Sequence, residues 1–159
     1  MALAKPEPTP TVHSLEELRS STANVVEEAR HRIVHLRVDD DDGLVLLAEE
    51  QYEEIVRWIR AVLVASRAIG MPEAERQPGA FGDSPWLAVF DDEDLTTFVE
   101  EMGKAIFDVL GSTAGTVDGL RTVGQEWRTT ATVLADPVSR EVLLGRHDVD
   151  DFIEISRPT

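Results

Sequence analysis

Asp39-Asp40-Asp41-Asp42, followed by Gly43, is the densest run of metal-competent oxygens in the chain. An EF-hand loop holds calcium with oxygen ligands at positions 1, 3, 5 and 12 and a glycine at 6. With Gly43 at that sixth place, Asp40 and Asp42 fall on ligand positions and Glu49 on the last one. The first position is Val38, which has no donor, and a strand rather than a helix leads in. The run reads as a solvated acidic hairpin turn. The histidines are His13, His31, His35 and His147. His31 and His35 are four apart, but they straddle a helix end and a strand, and no third ligand stands at a zinc spacing. His147-Asp-Val-Asp-Asp151 reads as a polar tail. Cysteine is absent, which excludes disulfides, zinc-thiolate sites and thiol nucleophiles together. No metal or other cofactor is expected.

Nucleophilic and phosphate chemistry fare no better. Gly111-Ser-Thr-Ala-Gly115 has the composition of a nucleophile elbow, but its spacing is wrong and it follows a helix. Neither a phosphate loop nor a dinucleotide fingerprint is present. Carboxylates are plentiful, yet nothing singles out two of them as an acid and base. The chain is not expected to be an enzyme, which leaves recognition. Arg19, Arg30, Arg32 and Arg37 are the cations of an N-terminal unit, and guanidinium groups grip phosphates and read guanine edges. The competing reading is ordinary surface arginines paired with abundant glutamate. In the second half, Trp86, Phe90, Phe98, Trp127 and Phe152 are the side chains expected to contact a protein partner.

The 159 residues suffice for one ordinary domain or two very small ones, and the 42% apolar share supports a core. The net charge of −16 repels nucleic acid and anionic membrane at long range and attracts basic partners. It is unevenly spread. Residues 1–70 carry 8 Lys/Arg against 13 Asp/Glu, a net of −5; residues 71–159 carry 7 against 18, a net of −11. Nucleic-acid contact therefore belongs to the first half and basic partners to the second. Residues 1–10, with Pro6, Pro8 and Pro10, read as a disordered arm and not as a signal peptide. No apolar run reaches the ~18 residues of a spanning helix. The expected compartment is the cytoplasm.

Several elements must position these groups. Ser14-Leu15-Glu16-Glu17 is a capping box opening a helix over 15–30. Residues 33–38 alternate as a strand with Val34, Leu36 and Val38 on one face. Gly43 is expected to take positive φ in a turn before a second strand, 44–47. Glu49 opens a long helix whose apolar stripe is Tyr52, Ile55, Val56, Ile59 and Leu63. From Trp58 to Ile69 that helix is apolar on most faces and needs burial, against a second subunit among other options. Residues 70–85, rich in Gly and Pro, read as a linker. Residues 86–90 read as a short strand. Helices are expected over 91–110 and 120–135, then from Asp136-Pro137 to Leu144, and residues 152–155 alternate as a terminal strand or a partner-binding segment. Residues 44–63 and 87–106 both read as strand, acidic cap and helix, an echo that any strand–helix unit would give.

The order of segments in 11–60 resembles the prevent-host-death (Phd/YefM) antitoxins. The pieces that carry the likeness are Thr11-Val-His13, Ser14-Leu-Glu-Glu-Leu-Arg19, Glu27-Glu-Ala29, the hairpin, and Leu44-Val-Leu-Leu-Ala-Glu-Glu-Gln-Tyr-Glu-Glu-Ile55. Glu126-Trp127-Arg-Thr-Thr-Ala131 with Ala135-Asp-Pro137 is similar to later parts of long actinobacterial members. The resemblance implies an α+β fold: a small antiparallel sheet with packed helices over 11–69, then a mainly helical, acidic partner-binding region over 86–159. It implies a homodimer or higher homo-oligomer, operator DNA bound by the N-terminal unit, and a small basic toxin neutralised by the C-terminal region. One departure matters. The family turn is usually basic or Gly/Asn-rich, and here it is Asp39–Asp42, which repels phosphate. A homo-oligomeric acidic regulatory module without DNA or toxin is the alternative expectation.

Overall fold

The computed structural model describes residues 12–38, 43–111 and 116–136. Its elements run β1 (Val12–Ser14), α1 (Leu15–Ser20), α2 (Thr22–His31), β2 (Val34–Arg37), β3 (Gly43–Leu46) and α3 (Glu49–Ala68). Three 3-10 turns follow, Glu73–Glu75, Pro78–Phe81 and Pro85–Val89, and then α4 (Asp92–Gly111) and α5 (Asp118–Ala135). The class is α+β, mostly helical with one three-stranded sheet.

The sheet is mixed, not antiparallel. β1 pairs parallel to β2, with Val12 opposite His35 and Ser14 opposite Arg37; β2 pairs antiparallel to β3, with Val34 opposite Leu46. The α1–α2 pair is the crossover that returns the chain to the starting end of the sheet, as a parallel pairing requires. The capping box forms as the sequence dictates. The Glu17 amide donates to Ser14 Oγ at 3.1 Å and the Ser14 amide donates to Glu17 Oε2 at 2.7 Å. The single helix expected over 15–30 is two, broken at Ser21, where three hydroxyl residues in a row compete for backbone bonds. Thr22 Oγ1, for one, donates to the Leu18 carbonyl. Val34 and Leu36 point inward and close on Val25 and Ala29 of α2, with Leu18 and Leu46 at the margin. Gly43 has no positive φ; it is the first residue of β3, opposite Arg37.

The second core is much larger. It gathers Ile33, Ile55, Trp58, Phe81, Leu87, Phe90, Leu95, Phe98, Met102, Leu120 and Ala131 with their neighbours. Fully burying each large side chain is worth roughly 1.5–3 kcal/mol. α3 enters this core by an unexpected face. Trp58, Ala61, Ala65 and Ala68 are buried, while Tyr52 and Leu63 of the predicted stripe are 58% and 51% exposed. The alanines give α4 a flat surface to approach, which larger residues would hold away. α5 comes close as well: a Cβ on Gly124 would stand 2.0 Å from the Trp58 ring, so the absence of a side chain is what lets the helix seat there.

Residues 70–85 are not a free linker. Phe81 is fully buried, and residues 78–89 form 3-10 turns packed beneath α3 and α5, with 86–90 among them instead of in a strand. Asp92 pins the segment to the start of α4, accepting from the Gly70 amide at 3.0 Å and from Arg76. The strand half of the apparent repeat is therefore absent at Leu87. The boundary expected between 69 and 86 runs instead through a shared core, and α3 belongs to both parts. The turn 39–42, the helix expected from Pro137 and the segment 152–155 lie outside the described residues.

Candidate functional site

The four N-terminal arginines do not converge. Arg30 and Arg32 stand before the start of β2, and each is engaged: Arg30 with Glu27 at 3.3 Å, Arg32 with Glu28. His31 also meets Glu27 at 3.3 Å. Arg37 ends the strand, three residues beyond Val34 and about 10 Å along it at ~3.3 Å per residue. It is exposed, as is Arg19 on α1, and neither makes an ion pair with a described carboxylate. Of the expected phosphate-binding set, Arg19 and Arg37 are the two without an ion pair among the described residues. His13 is drawn inward instead, its Nε2 lying 2.8 Å from Glu28 Oε2 and tying β1 to α2.

The expected partner contacts are brought together, but as a core. Trp86, Phe90, Phe98 and Trp127, joined by Trp58, make a continuous set of edge-to-face rings with centroids 5.2–6.3 Å apart. Such pairs add about 0.5–1.5 kcal/mol beyond their buried area. Phe90 and Phe98 are 2% and 0% exposed and present no surface to a partner. Trp127 and Trp86 are half-buried; the Trp127 indole donates to Glu101 at 2.9 Å. Phe152 lies outside the described residues. The sequence showed large apolar side chains in an acidic half; it did not show that they would satisfy one another.

A feature that sequence reasoning passed over lies on α3. Glu54, nearly buried, accepts from the Trp58 indole at 2.8 Å and from Arg57 at 2.7 Å. Arg128 of α5 lies over both indoles, 5.2 Å from the Trp58 ring and 5.8 Å from Trp86, a cation–π arrangement. Beside them runs a groove of about 790 Å³ bordered by Arg57, Arg60, Arg67 and Arg128. The signal was present in the sequence as Arg57, Arg60 and Arg67 along one helix, but the expected stripe faced Val56 and Leu63 inward.

Acid–base chemistry has little to work with. Among the described residues one carboxyl stands clearly away from its ordinary value: that of Asp94, raised by burial and by the neighbouring charges of Asp91 and Glu93, against a hydrogen bond from the Asp91 backbone that favours its ionised form. Among the described residues no three His, Asp or Glu side chains are grouped to hold a metal ion, and no helix is long and apolar enough to cross a membrane. The acidic turn 39–42 falls outside those residues. Comparison of the chain with protein-family models, with curated proteins and with solved structures finds no match.

Proposed function

We propose that the chain is an antitoxin-like binding protein that neutralises a small basic toxin through its acidic second half. The observation that carries the reading is the element order β1–α1–α2–β2–β3–α3, followed in sequence by residues 71–159 with a net charge of −11. That order is what the resemblance of segments 11–60 implies. Arg19 and Arg37 are the residues for operator phosphates in this reading, since Arg30 and Arg32 are occupied by glutamates. The toxin contacts in this reading fall on the acidic surface of α4 and on the C-terminal segment, because Phe90 and Phe98 are enclosed.

One observation favours a second reading, a homo-oligomeric module without toxin. Val12, Leu44 and Val45 of the sheet are 44–56% exposed, and the outer edge of β3 has no strand partner among the described residues. Exposed apolar sheet of this kind is normally covered, by a second copy in this case. Affinity purification of the full chain from its own cell separates the two. A stoichiometric, small, basic partner whose expression alone arrests growth is the expected result. Recovery of the chain with itself alone, under conditions that keep other antitoxins on their toxins, would leave the oligomeric module.

A further inference from the structure

Acidic residues outnumber basic ones 31 to 15, yet Arg60, Arg67 and Arg128 make no ion pair with a described carboxylate. All three line the same groove. On α3, Val56, Arg60, Leu63 and Arg67 follow at steps of four, three and four, so they form one stripe in which apolar and cationic side chains alternate. The carboxylates on the groove are Glu53 and Asp83, against four guanidinium groups. In so acidic a protein, arginines with no carboxylate partner among the described residues, beside half-buried Val56 and exposed Leu63, fit a ligand that brings both carboxylates and apolar groups. A nucleic-acid backbone offers no apolar partner for Val56 and Leu63, and the overall charge repels it.

We propose that this groove is the docking site of residues 147–155 of the same chain, His147-Asp-Val-Asp-Asp-Phe-Ile-Glu-Ile155, which lie outside the described residues. That segment carries four carboxylates, at 148, 150, 151 and 154, among Val149, Phe152, Ile153 and Ile155. It supplies carboxylates for the arginines and apolar groups to meet Val56 and Leu63. The chain leaves the described part at Asp136, at the end of the helix that carries Arg128. Arg128 lies eight residues earlier, about 12 Å along α5. The twelve residues from Asp136 to Asp148 extend up to ~40 Å. The groove stretch from Tyr52 to Arg67 is about 22 Å long. Reach is therefore sufficient whichever way the chain turns. A tether of this length holds its end at a local concentration in the roughly millimolar range, so individually weak contacts are enough. The inference does not rest on the antitoxin reading. Its consequence for any basic partner is competition, since the partner must draw the acidic segment away from the arginines.

The test uses the full chain. Because the sequence has no cysteine, Ser156→Cys carries a single nitroxide label. Backbone amides between Tyr52 and Arg67 are expected to broaden selectively, independently of protein concentration, with the effect fading at high salt. The double variant Arg60→Glu/Arg67→Glu should lose the broadening while keeping its helical circular dichroism. Adding Asp148→Arg/Asp151→Arg to it should restore the broadening. Broadening absent from α3, or indifferent to both charge reversals, overturns the proposal. Broadening that disappears on dilution overturns it too, because the groove is then filled by a second copy.

Discussion

The molecule has two cores of very different weight. The sheet unit closes on Val25, Ala29, Val34 and Leu36, all small or medium aliphatics, and leaves Val12, Leu44 and Val45 in solvent. The helical part closes on interlocked aromatic rings, on Met102 and several leucines, and on the alanine face of α3. α3 joins them, its first turns beside the sheet and the rest in the larger core. The contrast teaches where stability and where recognition reside. A four-residue core cannot offset the ordering of a three-stranded sheet by itself. The sheet unit borrows its stability through α3 and is free to keep an unfinished apolar surface.

Phe98→Ala is the harshest way to break that dependence. It should cost about 3–5 kcal/mol, the usual penalty for emptying a buried phenylalanine site. In urea, amide protection in β2 should be lost along with that in α4. A sheet that stays protected after the helical core has melted would show two independent cores. Ser14→Ala acts on the weaker side and should cost ~1 kcal/mol through loss of the capping box. Hydrogen exchange should place that loss in α1 and β1 with α4 unchanged. Asp94→Asn is the mildest. A carboxyl raised in the folded state contributes most to stability below the ordinary carboxylate pKa, and that contribution falls as pH rises through the raised value. The stability of the wild type minus that of the variant should therefore decline as pH rises through that window. A difference that grows instead would mean that the α4 dipole governs the group.

The sequence disclosed the sheet unit better than the core that supports it. Ser14 and Glu17 announced a helix start, the alternation of Val34 and Leu36 announced a strand facing inward, and both stand as read. These are local signals, complete within a few residues. α3 was harder, because an apolar residue on nearly every face leaves the choice of buried face to whatever packs against it. Leu63 is the larger hydrophobe, yet Ala61 and Ala65 are buried, since close approach of α4 favours small side chains. The 3-10 turns around Phe81 were illegible for a related reason: Gly and Pro mark an irregular path without saying that it lies under a helix. The arginine groove depends on that same choice of face, so it could not be seen until the face was known.

Trp58, Trp86 and Trp127 all sit in the aromatic cluster, and the lone tyrosine, Tyr52, is on α3. The three indoles are near enough to exchange excitation, with Trp58 and Trp86 crossed at 76°. Ultraviolet emission and near-ultraviolet dichroism thus describe the helical part and its arginine-capped edge. The described strands and the first two helices carry no chromophore beyond the peptide bond. Events at the sheet, DNA engagement or self-association among them, are optically dark unless they propagate along α3.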